Sequence, residues 1–232
     1  MIMVTLLSSL ALVSQNLDPP AVKNNNAVVG QQDDAPGSSG PGSSAFQQNY
    51  LSLGKECGMY LCEEWQPGTI QLKDGSVFKD RMIRYNIYNQ QMEYATGSDT
   101  AAIGNPEDLA KLVIGDKSFV FRKFMCNNQI REGYLELLVK GDYELLLHRG
   151  IKYEYEETAE GAGGPVTRYY QANRYFLSCR GEVAEELPDK KHEIIDVVAK
   201  DPKMLKKYVK ENKCKLKNQD ELVNFFVFVN NH

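Results

Sequence analysis

The feature that most constrains this chain is a series of short alternating segments, each closed by a turn, between residues 68 and 179. In the first pair, residues 69–72 and 76–79 flank Asp74-Gly75, a dipeptide that readily adopts the positive φ angles of a tight hairpin turn. Residues 82–96 repeat the arrangement with apolar side chains at every second position, as a strand with one buried face requires. This pattern predicts β-hairpins.

Further units of the same kind follow along the chain. Leucines occupy both faces of the hairpin over residues 133–149, which favours a central position covered on both sides. Two last strands, 151–156 and 167–179, flank the glycine-rich loop 160–165. The total of about eight to ten strands with short connections predicts a mainly β (α+β) fold with antiparallel meander pairing. A curved open sheet, a sandwich and an open barrel all fit this pattern.

Beyond Pro188 the alternation gives way to helical spacing. Residues 190–199 place their apolar side chains on about half of a helix surface. Asp201 followed by Pro202 is a typical helix start, and Asn218 is the expected cap of a third helix. The sequence therefore predicts three short C-terminal helices, which pack on the sheet because helices of this length need tertiary support.

The N-terminal region has the composition of a targeting segment and a linker. Residues 2–13 form an apolar run that is long enough for a signal peptide but too short for a membrane-spanning helix. The alternative is a buried N-terminal helix. We expect a signal peptide over 1–15, a flexible linker over 16–50, a β domain over 51–187 and a helical segment over 188–232. These expectations place the protein outside the cytoplasm, in the periplasm or secreted.

Composition and motifs exclude several classes of function. The net charge of −4 provides no long-range attraction for phosphate backbones, so we expect no nucleic-acid partner. The three histidines, His148, His192 and His232, do not have the spacing of a zinc site. No nucleophile elbow, metalloprotease motif or phosphate-binding loop occurs in the sequence. The sequence therefore predicts no catalytic residue, no metal ligand and no cofactor.

Two of the five cysteines are candidates for a disulfide bond. Cys57 and Cys62 are close enough in sequence to close a small loop, and an exported protein meets an oxidising environment. An odd number of cysteines leaves at least one thiol unpaired. The alternative is that all five behave as small apolar residues in or near the core.

A group of tyrosines gives the one hint of a ligand site. Tyr153 and Tyr155 share one face of a strand, and Tyr169 and Tyr175 share a face of the next. Aromatic rings interleaved with amide and guanidinium groups can stack on sugar rings or other flat ligands. The alternative is cross-strand packing that only stabilises the hairpin.

Three stretches of the chain resemble a known group of proteins. They are Trp65-Gln66-Pro67-Gly68-Thr69-Ile70-Gln71-Leu72-Lys73-Asp74-Gly75, Arg84-Tyr85-Asn86-Ile87, and Leu205-Lys206-Lys207-Tyr208-Val209-Lys210-Glu211-Asn212-Lys213. Over residues 65–229 the chain resembles uncharacterised exported proteins of Bacteroidota-type bacteria. The resemblance implies a location in the cell envelope and assigns no activity and no site residue.

Two hypotheses of function follow. The first is a non-enzymatic exported protein that binds another envelope protein or a carbohydrate. The second is a secreted hydrolase whose carboxylate and tyrosine side chains meet only in the folded chain. A pocket with converging acids favours the second hypothesis, and a filled interior with an exposed aromatic face favours the first.

Overall fold

The computed structural model describes residues 21–22, 58–156, 166–198 and 200–232. Within them, 11 strands form one sheet, part of which closes into a barrel, and three helices follow the last strand. The predicted mainly β fold with three short C-terminal helices is confirmed. Of the architectures that the pattern allowed, the structure has a barrel with an attached sheet.

The strands are numbered in chain order. They are β1 (Ala21–Val22), β2 (Gln66–Leu72), β3 (Val77–Asn86), β4 (Gln91–Thr96), β5 (Asp99–Ile103), β6 (Leu109–Ile114), β7 (Lys117–Cys126), β8 (Gln129–Val139), β9 (Tyr143–Glu156), β10 (Val166–Cys179) and β11 (Ala184–Glu186).

The first half of the chain forms the attached sheet, in the order β1-β5-β4-β3-β2-β6, and β6 continues into the barrel strand β7. All of these pairs are antiparallel. Strands β2 and β6 approach closely at Gly68, where a Cβ atom would lie 2.3 Å from the Val113 carbonyl oxygen. One apolar face of the sheet is buried together with Phe119 of β7 and Tyr134 of β8. The sheet and the barrel therefore share a core.

Strands β7 to β11 close the barrel. Each strand from β7 to β10 pairs with the next strand along the chain. Ala184 of β11 then pairs with Phe124 of β7 in parallel, which closes the ring. This parallel pair departs from the predicted antiparallel meander for a reason of parity. Strand direction cannot alternate all the way around a ring of five, so one neighbouring pair must run in parallel.

The barrel interior is apolar at its centre. All five strands contribute to one buried cluster, in which the ring of Phe176 lies 5.0 Å from that of Phe124 in an edge-to-face arrangement. Outside the barrel, Leu145 of β9 packs against the helices, whereas Leu146 points to the interior. The prediction that this leucine-rich hairpin is covered on both faces is confirmed.

Several predicted boundaries differ from the structure. The segments 76–79 and 82–88 are predicted as two strands, but most of both lies in one strand, β3 (Val77–Asn86), which continues through Asp80 with a left-handed φ of 55°. Gly150 does not separate two strands either, because it pairs with Ala172 inside the continuous strand β9. Strand β1, which pairs with Ala102 and Ile103, lies inside the stretch predicted as a linker over 16–50.

Three helices follow the last strand, and the second and third begin at the predicted caps. They are α1 (Lys191–Asp196), α2 (Pro202–Glu211) and α3 (Gln219–Asn231). Asp201 accepts a hydrogen bond from the Lys203 N–H, and Asn218 accepts one from the Glu221 N–H, each at 2.9 Å. Their buried faces join Val139, Tyr143 and Leu145 in one apolar cluster. The helices thus cover the outside of the barrel at β8 and β9.

Asn230 of α3 fastens the last helix to the barrel. Its Oδ1 accepts a hydrogen bond from the Tyr143 N–H, and its Nδ2 donates one to the Tyr143 carbonyl, each at 2.9 Å. The amide side chain therefore satisfies both backbone groups of this strand residue, as a neighbouring strand would. Gly141 makes room for it, since a Cβ there would lie 2.4 Å from Asn230 Cγ.

Among the described residues, none of the helices has the length and apolar character that crossing a membrane requires.

Candidate functional site

A cleft of about 660 Å³ lies where β10 meets the start of the helical segment. One wall comes from Asn173, Arg174 and Tyr175 of β10. The other comes from the chain between β11 and α1 and from the loop between α2 and α3. Its volume falls in the range of small-molecule sites, roughly 300–1,000 Å³. It is therefore the best candidate for a ligand site in the described part of the chain.

The chain after β11 forms this wall for local reasons. The Leu187 N–H donates a hydrogen bond of 2.8 Å to the Tyr175 carbonyl, which holds the segment beside β10 for one more residue. Pro188 cannot donate a hydrogen bond, so the strand ends there. On the loop side, Leu216 has a left-handed φ of 55° although its side chain is buried. A bulky residue rarely adopts this conformation, and such strain often accompanies functional sites.

The cleft has an apolar floor and polar walls. Leu187, Ile194, Leu216 and Leu222 are buried and form the floor. The walls contain three cationic side chains, two carboxylates and several uncharged polar groups: Lys152, Arg174, Lys217, Glu186, Asp189, Asn127, Asn173 and Tyr175. Hydrogen-bond donors and acceptors are therefore both present, with nearly balanced charge.

Arg174 connects the cleft to the barrel interior. Its Nη1 lies 2.9 Å from Cys126 Sγ, as a hydrogen-bond donor to sulfur, and 3.6 Å from Glu186 Oε2. Cys126 is buried, whereas the Glu186 carboxylate is exposed. The guanidinium is thus held in place from both sides while it lines the cleft. This double contact positions a cation for a ligand without the loss of side-chain freedom on binding.

His148 lies behind Arg174 in the same end of the barrel. Its ring is 5.1 Å from the ring of Phe124 and 6.4 Å from that of Phe176. Burial, together with the positive charges of Arg174 and Arg131, lowers the pKa of His148 to about 4. The imidazole is therefore neutral at pH 7 and supplies one donor and one acceptor nitrogen.

Tyr175 keeps its hydroxyl proton in the cleft. Burial raises its pKa above the ordinary value, the Arg149 charge opposes this, and Glu136 and Asp220 reinforce it. A protonated phenol both donates and accepts hydrogen bonds. Tyr175 can therefore bond to a ligand hydroxyl in either direction.

The chain matches no protein-family model, no curated protein and no solved structure. Functional residues can therefore be inferred only from its own geometry. In the described part of the chain, no three His, Cys, Asp or Glu residues lie together in a way that could hold a metal ion.

Four tyrosines are predicted to bind a ligand, Tyr153, Tyr155, Tyr169 and Tyr175, and the structure describes the side chains of the last two. Of these, Tyr175 lines the cleft. Tyr169 lies six residues earlier on β10, roughly 20 Å along the strand, and is half-buried. The backbones of Tyr153 and Tyr155 pair with Tyr169 and Thr167, and their side chains lie outside the described residues. Of the two tyrosines whose side chains the structure describes, Tyr175 therefore lines the cleft and Tyr169 does not.

The predicted disulfide bond stays a prediction. Cys62 is exposed, with Gln66 Nε2 3.6 Å from its sulfur atom, and Cys57 lies outside the described residues.

The sequence did not predict that Arg174, Cys126 and Glu186 form one group. They lie on β10, β7 and β11, and only the closure of the barrel brings them together. A partial signal was present in the alternation of β10, which places Arg174 on the face opposite to Asn173 and Tyr175.

Proposed function

We propose that this chain is a non-enzymatic binding protein of the cell envelope, and that the cleft beside β10 takes a neutral polyhydroxylated ligand such as a mono- or disaccharide. The observation that carries the proposal is the composition of the cleft. Planar amide, carboxylate and guanidinium groups and a tyrosine hydroxyl surround an apolar floor. A sugar presents hydroxyls that donate and accept, together with C–H faces that prefer apolar contact.

The balance of charge favours a neutral ligand over a strongly charged one. Arg174 is already 3.6 Å from Glu186, which offsets much of its charge. Lys152 and Lys217 have exposed side chains, whose charges the solvent screens, and Asp189 is also exposed. A sugar gains hydrogen bonds from this lining without desolvating a net charge.

Removal of the Tyr175 hydroxyl, a change of one heavy atom, tests the proposal. We expect Tyr175→Phe to weaken saccharide binding roughly fivefold, since a hydrogen bond is worth about 1 kcal/mol. Binding of glucose, N-acetylglucosamine and their disaccharides is measured by chemical-shift changes and calorimetry. Tyr170→Phe is the matched control, because Tyr170 is exposed on the opposite face of the same strand.

Two results would contradict the proposal. The first is that none of these sugars shifts a resonance of a cleft residue at millimolar concentration. The second is that Tyr170→Phe weakens binding as much as Tyr175→Phe does.

A hydrolase is the second candidate, because Glu186 and Asp189 both line the cleft next to Tyr175. Two carboxylates on either side of a glycosidic bond are the usual apparatus of glycoside hydrolysis. The same titrations distinguish the two functions. A disaccharide that is only bound stays intact, whereas a hydrolase converts it to monosaccharides, and Glu186→Gln would then abolish turnover while binding persists.

Export to the envelope is supported by the apolar run of residues 2–13. Strand β1 begins at Ala21, after the expected leader over 1–15, so removal of the leader leaves its pairing with β5 intact. We expect the intact mass of the protein from the periplasmic or secreted fraction to lack the first 14 to 20 residues, as leader cleavage requires. A full-length chain found only in the cytosol would rule out export.

A further inference from the structure

Lysine is concentrated in one part of this acidic chain. Ten of the 19 lysines lie between residues 190 and 217, against four acidic residues and no arginine in the same stretch. This stretch carries a net charge of +6, whereas the whole chain carries −4. The charge is therefore strongly asymmetric, which is typical of a surface that meets an anionic partner.

The helix α2 arranges these charges in a stripe. Lys203, Lys206, Lys207 and Lys210 follow the spacing that puts side chains on one face of a helix, and all four are exposed. The opposite face carries Leu205 and Val209, which are buried against the core. The orientation of the helix is thus fixed by its apolar side, and the lysine side must face the solvent.

The loop after α2 adds two more lysines. Lys213 and Lys215 are exposed and follow the end of the helix directly. We call the surface made by Lys203, Lys206, Lys207, Lys210, Lys213 and Lys215 the basic face. The helix part alone is about 15 Å long, the length of ten residues.

Folding alone does not account for the basic face. Like charges three and four residues apart on a helix repel each other, and this stripe has several such pairs. The ion pair between Lys207 and Glu211 spans 3.9 Å between exposed side chains and is therefore weak. An arrangement that disfavours the helix suggests that the charges serve an external partner.

We propose that the basic face binds the surface of a membrane that contains anionic phospholipids. A cluster of four to eight lysines is the usual size of an electrostatic membrane-binding site. The attraction needs no apolar insertion, which agrees with the apolar side of α2 being used in the core. Lys217, close to the basic face in sequence, lines the cleft. A protein molecule bound to the membrane would therefore hold its cleft close to the lipid surface.

The composition favours a membrane over a nucleic acid. The rest of the chain is acidic, so a polyanion that wraps around the molecule would be repelled beyond the basic face. A flat membrane contacts one side only. The basic face also has no arginine for bidentate contacts and no exposed aromatic ring for stacking on bases.

Vesicle sedimentation tests this proposal on the full chain. We expect the protein to sediment with phosphatidylcholine vesicles that contain phosphatidylglycerol, not with phosphatidylcholine alone, and to be released by about 0.5 M salt. Each lysine contributes roughly a fivefold factor, so Lys206→Glu with Lys210→Glu should weaken binding by about 25-fold or more. The urea midpoint of this variant shows whether it is folded.

A matched variant separates the basic face from overall charge. Lys79→Glu with Lys111→Glu changes the net charge equally, at exposed positions on β3 and β6, and should stay within about twofold of the unmodified chain. An equal loss in this control would overturn the proposal, as would equal sedimentation with both kinds of vesicle. Binding to heparin or duplex DNA without binding to vesicles would overturn it in favour of a soluble polyanion.

Discussion

Replacing Arg149 by methionine is expected to lower the free energy of unfolding by about 3–5 kcal/mol. Arg149 Nε and Nη2 both donate to Glu136 Oε2, at 2.8 and 2.6 Å, and the two side chains are 12% and 5% exposed. Without the guanidinium, the buried carboxylate keeps Lys117, whose Nζ is 3.7 Å from Oε1. The free energy of unfolding falls because the buried Glu136 carboxylate has lost its partner.

A second substitution, at Glu136, should restore most of the stability that Arg149→Met removes. Glu136→Leu in the Arg149→Met background removes the buried charge, and we expect the double variant to recover most of the stability of the unmodified chain. Lys123→Met is the matched control, because the Lys123–Glu132 pair spans 3.3 Å with both side chains more than half exposed. It should cost less than about 1 kcal/mol. Urea unfolding of the four proteins checks the prediction, and equal losses in Arg149→Met and Lys123→Met would contradict it.

Acidification is expected to destabilise the barrel end through His148. Its pKa is about 4 in the folded chain, against an ordinary value of 6.5, chiefly because of burial. Between these two values the unfolded chain binds more protons than the folded chain. This contribution to stability is therefore complete above about pH 6.5 and decreases as the pH falls toward 4. The loss between pH 7 and pH 4.5 is about 2–3 kcal/mol.

The dependence of the unfolding free energy on pH, compared among variants, separates the effect of His148 from that of the carboxylates that also titrate. His148→Gln cannot take up the proton, so its unfolding free energy should fall by about 2–3 kcal/mol less over the same interval. His192→Gln, at an exposed position, should keep the slope of the unmodified chain. Identical slopes in all three proteins would show that His148 does not titrate as its environment requires.

Local chemistry explains which parts of the fold were predictable. The turn at Asp74-Gly75 and the caps at Asp201 and Asn218 depend on a few neighbouring residues, and all three occur as predicted. Gly150 shows the limit of such reasoning. It lies between the hairpin over 133–149 and the strand over 151–156, which are predicted as separate, but it pairs with Ala172 inside the continuous strand β9.

The candidate site depended on information that no short stretch contains. Tyr175 was among the predicted ligand residues because aromatic and amide groups alternate along its strand. Its actual neighbours in the cleft, such as Ile194 and Lys217, come from the helical segment, and their approach follows from how the helices dock. The pairing of β11 with β10 brings Glu186 beside Arg174, and the parallel pairing of β11 with β7, a property of ring closure, adds Cys126 to the group.

The hydrogen bonds between Asn230 and Tyr143 cannot form until the ribosome has synthesised the whole segment between these two residues. The two residues are 87 positions apart, and a ribosome needs roughly 4–17 s to cover that distance at 5–20 residues per second. A hairpin such as β8–β9 forms in microseconds. Its outer leucine face is therefore complete seconds before the helix that covers it exists. A newly made chain presents this face to chaperones, or to other nascent chains, throughout that interval.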